Sequence, residues 1–207
     1  MTSPSDTNLA RTLCARLCHD LGGAIGSLAG ALDLLPQGGD ELLEVAQESA
    51  AALRQRLRLY GAAWGGPTEA MEPAAMEGLL DGSPAVPRVR FDLRGLEQAV
   101  ALPAPLVPIA LNAALLAAEA LPRGGTVRLS GSPLDGLMVL PTADLGAPAA
   151  AWPAGFLALM AGQAQSSPSP REVLGPLLHA LLAEAGWSAS LALGPAQAAA
   201  PLLLMPG

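Results

Sequence analysis

The chain has no lysine: its 11 basic residues are all arginine, set against 18 acidic ones, for a formal net charge of −7. An acidic chain without a basic run is poorly suited to nucleic acid, where affinity rests on neutralising phosphates. A partner steered by charge would need a local arginine patch. Aromatic residues are scarce, at 3% of a sequence that is 51% hydrophobic, so a core must be packed from aliphatic side chains. Cysteine occurs only as Cys14 and Cys18, which cannot form the framework of a disulfide-stapled fold. No unbroken apolar run is long enough to cross a bilayer. The longest, residues 99–121, holds Pro103, Pro105, Pro108, Asn112 and Glu119. Residues 1–9 are polar and lack an apolar stretch, so no signal peptide is expected and the cytoplasm is the expected compartment.

What is abundant is alanine and leucine, both strong helix formers. Residues 9–64 carry a helical pattern, interrupted at Pro36-Gln-Gly-Gly39, where proline and glycine end one helix and turn the chain. Asp40 is placed to cap the second helix, and the whole reads as an antiparallel hairpin. The second helix has Ala46, Ala50, Leu53, Leu57, Tyr60 and Trp64 in alternating steps of three and four, a heptad-like seam. One hairpin buries one side of such a seam. Two hairpins paired as a four-helix bundle would bury the rest, which predicts a homodimer. The alternative is that the seam packs on the chain's own second block.

Residues 65–87, rich in Gly, Pro, Glu and Met, read as a linker with room for one helical turn. Beyond them strands and helices alternate. Strands are expected over 86–93, 126–130, 137–140, 187–193 and 200–205, and helices over 106–121, 154–163 and 171–185. Interleaved helices and mostly antiparallel strands suggest a two-layer α/β sandwich.

One histidine stands out. At about 100° per residue, the first helix gathers Leu9, Leu13, Leu17, Leu21, Ile25, Leu28, Leu32 and Leu35 on one side and projects His19 from the opposite side. Around it the surface is small: Ala15 and Thr12 lie one and two turns back, and Gly23, Gly26 and Gly30 lie ahead. Each glycine inside a helix costs about 1 kcal/mol against alanine, so four of them, Gly22 included, imply that something needs the backbone bare there. Either a docking partner or a closely packed helix would serve. Arg16 flanks the histidine, with Arg11 further off, and either guanidinium suits phosphoryl oxygens or a partner's acidic pocket.

A neutral imidazole is a nucleophile near pH 7 and can form a phosphoramidate. Asp20, the next residue, can orient the ring or take its proton. Transfer also requires in-line positioning and charge neutralisation. The sequence has no cluster of metal ligands, so no bound cofactor is expected and Mg²⁺ would arrive with the partner. Cys14-Ala-Arg-Leu-Cys18-His19 has three residues between the cysteines, where haem attachment uses two. Zinc lacks a second cysteine pair. His179 sits in an apolar helix and reads as structural.

Arg16-Leu-Cys-His19-Asp20-Leu-Gly-Gly23 resembles the phosphoacceptor segment of bacterial histidine phosphotransferases of the ChpT kind. Arg56-Leu-Arg-Leu-Tyr60-Gly-Ala-Ala-Trp64-Gly resembles the end of that family's second helix, and Leu111-Asn-Ala-Ala-Leu-Leu-Ala-Ala-Glu119-Ala-Leu-Pro-Arg-Gly-Gly125 a stretch of its C-terminal domain. The resemblance implies an α+β protein of three parts. Residues 1–66 would form the dimerisation and phosphotransfer hairpin, 67–84 a linker, and 85–207 a degenerate domain similar to a histidine-kinase ATP-binding domain. It implies His19 as phosphoacceptor and Asp20 as its acidic neighbour. Thr12, Ala15, Arg16, Gly22, Gly23 and Gly26 would form the partner surface. The implied partners are the receiver domains of a hybrid histidine kinase and of response regulators. Asn112 falls where a kinase places its metal-binding asparagine. The glycine loops for nucleotide are missing: Asp144-Leu-Gly146-Ala-Pro148 lacks the second glycine, and residues 153–170 hold no Gly-x-Gly. Without backbone amides to cradle phosphates, ATP is not expected to bind. A non-catalytic receiver-binding scaffold and a divergent ATP-binding kinase stand as the alternatives. Arg54 and Arg58 are candidates for partner choice.

Overall fold

A computed structural model describes residues 4–66, 69–163, 169–192 and 199–207. Helix α1 (Pro4–Leu34) runs as one piece through its glycines. It ends in a 3-10 turn over Leu35–Gln37 with Pro36 in its first turn, and Gly38 and Gly39 follow in extended conformations. Helix α2 (Asp40–Trp64) returns antiparallel along α1. Asp40 is not the cap expected of it: Gly39 occupies that position, and Asp40 with Glu41 forms an acidic first turn, favourable to the helix dipole.

The segment expected as a linker is structured. It contains helix α3 (Pro73–Leu80), whose first position is the proline that suits a helix start. Met76 and Leu80 are fully buried, and Met71 bridges to Leu102. Methionine and leucine at helical spacing were a core signal hidden in a stretch dominated by glycine and proline.

The second block is a sandwich. Strands β1 (Val89–Leu96), β2 (Gly125–Ser132), β3 (Gly136–Ala143), β4 (Trp187–Leu191) and β5 (Leu202–Pro206) form a mixed sheet in the order β1-β2-β3-β5-β4. Only β1 and β2 are parallel, connected through helix α4 (Leu106–Glu119). Strand β1 begins three residues later than expected, after Pro87, which has no N–H for a ladder. At Gly125 the strands approach so closely that a Cβ would meet the Thr142 carbonyl oxygen at 2.3 Å. Alternation sends Val127, Leu129, Leu137, Val139, Leu202 and Leu204 inward.

Helix α4 is apolar on every side and lies in the centre, against β2, β3, helix α6 (Leu174–Ala185) and α2. A short helix α5 (Ala154–Met160) covers α6 through Phe156, and Gly186, left-handed at φ 69°, ends α6. The core is continuous from the sandwich into the end of the hairpin, where Leu59, Tyr60 and Ala63 belong to it. So of the seam on α2, only the Tyr60–Trp64 end packs on the chain's own second block.

Candidate phosphoacceptor site

His19 lies mid-way along α1 with its side chain 70% exposed. The opposed leucine stripe holds the helix down on the other side, where Leu17 and Leu21 pack against the core. Gly22, Gly23, Gly26 and Gly30 are exposed, and a Cβ added to any of them would meet nothing within 4 Å. Tight packing against a neighbouring element of the chain therefore does not account for these glycines. Ala15 is exposed on the same surface. Thr12, expected there too, is 8% exposed and gives its hydroxyl proton to the Asn8 carbonyl one turn back.

Behind the ring stands a carboxylate. His19 Nδ1 lies 3.1 Å from Asp20 Oδ1. Asp20 itself is 7% exposed and held from two other directions, each at 2.7 Å: by the Tyr60 hydroxyl and by Arg16 Nε, both on Oδ2. Burial alone would raise the Asp20 pKa, but hydrogen bonds from Tyr60, Arg16 and His19 outweigh it and the net shift is downward. The same environment pushes the Tyr60 phenol well above its ordinary value, through burial and its bond to Asp20. Asp20 is thus an anion that presents one oxygen to the imidazole. With a proton on Nδ1 shared with that oxygen, Nε2 is left with its lone pair free.

Arg16 reaches further than its own helix. Its terminal nitrogen bonds Glu119 Oε1 at 2.8 Å and Pro170 O at 3.4 Å, both in the second block. From α2, Arg56 donates to the Asp20 backbone carbonyl at 2.6 Å. Tyr60 stacks on Trp64 with ring centroids 4.0 Å apart, and Trp64 Nε1 donates to Asn112 Oδ1 at 2.8 Å.

The sequence pattern brought His19, Asp20 and Arg16 together correctly but missed Arg56, Tyr60 and Glu119. Arg56 and Tyr60, four apart on α2, share a face, which was the available signal. Arg54 and Arg58 are exposed instead. Asn112 is fully buried, its amide nitrogen bonded to Ala63 O and Pro108 O, so it ties α4 to α2. His179, read as structural, is exposed. Cys14 and Cys18 are free and exposed.

The site is an accessible imidazole backed by a fixed carboxylate, with exposed glycines around it. Comparisons with known proteins identify the family. The family described as histidine phosphotransferase C-terminal domain matches residues 73–197, a span that takes in α3. The protein phosphotransferase ChpT of Brucella abortus (strain 2308) is 30% identical over 187 residues, 87% of each sequence. A solved bacterial phosphotransferase superposes with a TM-score of 0.76 at 26% identity, covering 99% of this chain and 97% of the other. The chain belongs to the histidine phosphotransferase family, whose members carry phosphoryl groups in phosphorelay signalling.

Proposed function

We propose that this chain relays phosphoryl groups through His19, from the aspartate of a hybrid-kinase receiver domain to the aspartate of a response regulator. In the first half-reaction Nε2 attacks phosphorus of the acyl phosphate. The N–P bond forms as the P–O bond to the carboxylate breaks, and the aspartate leaves as an anion. The phosphorylated imidazole keeps its Nδ1 proton, and its positive charge faces Asp20. Attack by the second receiver's aspartate on the same phosphorus returns the ring to neutrality. Mg²⁺ is expected on the receiver domains.

One observation carries this reading: the His19 side chain is 70% exposed, and its Nδ1 faces an Asp20 carboxylate that Tyr60 and Arg16 hold. The assay is radiolabel transfer from a phosphorylated receiver domain, expected to give an acid-labile, base-stable label on the wild type and none on His19→Ala. Full labelling of His19→Ala would end the proposal.

A homodimer is part of the reading. Ile25 and Leu32 on α1 and Leu57 on α2 are each 50% exposed, so one hairpin leaves part of its apolar stripe uncovered. ATP is not proposed as a ligand. Asp144, the nearest candidate for the adenine contact, is paired with Arg90 at 2.5 Å, and the Asn112 amide is consumed by bonds to α2 and α4.

A further inference from the structure

Glu119 is the last residue of α4, where the helix dipole is negative and a carboxylate is disfavoured. It is also largely desolvated, with a side chain only 22% exposed. Burial raises its pKa despite the guanidinium beside it. Local physics argues against an acid at this position, and such a conflict points to a role beyond folding. Among the described residues it forms an ion pair with Arg16, 103 positions away in sequence and on the helix that carries His19.

The guanidinium of Arg16 is divided between two carboxylates: Nε serves Asp20 and the terminal nitrogen serves Glu119. Next to the pair lies a pocket of about 110 Å³ lined by Arg16, Tyr60, Arg88, Leu115 and Glu119 among others. On that side the terminal nitrogen is held by Glu119 at 2.8 Å and, at the longer distance of 3.4 Å, by the Pro170 carbonyl, so the carboxylate is the closer and the charged partner. Charge matters as well. With Glu119 offsetting Arg16, the negative charge of Asp20 remains available to the imidazole; without it, Arg16 is a cation compensated by Asp20 alone.

We infer that Glu119 is a positioning residue: through Arg16 it fixes the Asp20 carboxylate in the orientation that holds the His19 Nδ1 proton. This gives the sandwich domain a task in the transfer reaction that is independent of nucleotide. The inference rests on the relay reading for its consequence in transfer, though not for its geometry.

The test is a double-mutant cycle on the full-length protein. Glu119→Gln is expected to slow transfer about tenfold in the wild-type background and less than twofold in Asp20→Asn, the non-additivity of groups acting in series. Glu119→Asp, which keeps the charge, should recover part of the rate. Independently, ¹⁵N NMR of His19 in the unphosphorylated protein should show a smaller Nδ1-protonated fraction in Glu119→Gln. Equal rate losses in both backgrounds, or an unchanged tautomer, would overturn the inference. So would an unfolded Glu119→Gln by circular dichroism, which would make the residue structural. If the wild type accepts no label on His19 while the tautomer shifts as stated, the relay reading fails and the positioning stands.

Discussion

Replacing Tyr60 with phenylalanine removes one hydroxyl and little else. The ring volume is kept, and so is the stack on Trp64 at 4.0 Å. What disappears is a 2.7 Å hydrogen bond to the buried Asp20 carboxylate. A hydrogen bond to a charged group contributes about 1.5–3 kcal/mol. For a chain of this size each kcal/mol moves the melting temperature by about 2–4 °C, so Tyr60→Phe should melt roughly 3–12 °C lower at pH 7. The loss must also depend on pH. The Asp20 pKa is lowered in the folded state, so its stabilisation is fully present above the unfolded value of about 3.9 and is lost as pH falls through the lower folded value. Without the phenol the folded pKa moves back toward the unfolded one. The gap between wild type and variant is therefore widest at neutral pH and narrows in acid, as the pH falls through that lowered folded value and Asp20 protonates in both. Denaturant melts at neutral and acid pH measure this directly. Equal gaps at both, or no gap at pH 7, would refute the assignment of Tyr60 as a donor to an ionised Asp20.

Four further outcomes follow from the site and its supports. Gly23→Ala should stabilise the chain by about 0.8–1 kcal/mol, the helix-propensity difference, because its Cβ meets nothing. Gly23→Trp should remain folded yet lose receiver-dependent transfer by more than about a hundredfold; wild-type transfer by Gly23→Trp would show that the bare surface is not where the receiver docks. The proposed dimer should give dimer mass for the wild type and monomer mass for Leu57→Asp by light scattering; a wild type of monomer mass would refute the dimer, and an unchanged mass for the variant would refute Leu57 as part of its contact. Asn112→Ala leaves Trp64 Nε1 and the Ala63 carbonyl without their bonds to Asn112, and it should cost about 2–4 kcal/mol in denaturant unfolding. A loss under about 0.5 kcal/mol would contradict its role as the tie between α2 and α4.

The legible parts of this protein were those governed by local repetition. Leucine spacing on α1 marked the side that packs on the core at Leu17 and Leu21, and the exposure of His19 on the other side followed from that. Alternation marked β2 and β3 well, although both run slightly longer than expected, since hairpin pairing extends a strand past its apolar residues. Where glycine and proline dominate, the pattern failed. Helix α3 was concealed because its stability comes from Met76 and Leu80 entering a core assembled from distant elements. Thr12 was misplaced for the related reason that a helical wheel has no neighbours on it.

The sequence by itself determined the helix that carries the candidate site: periodicity, glycine placement and adjacency make the His19-Asp20 pair and its bare surroundings, all within a few turns of one helix. Only the tertiary structure decided what holds Asp20. Tyr60 and Glu119 reach this site, Tyr60 directly and Glu119 through Arg16, across 40 and 103 positions of chain. Arg56 rather than Arg54 or Arg58 turns inward because α2 sits in one register against α1 and α4. That register is set by which apolar faces exclude water together, and no local pattern in the chain encodes it.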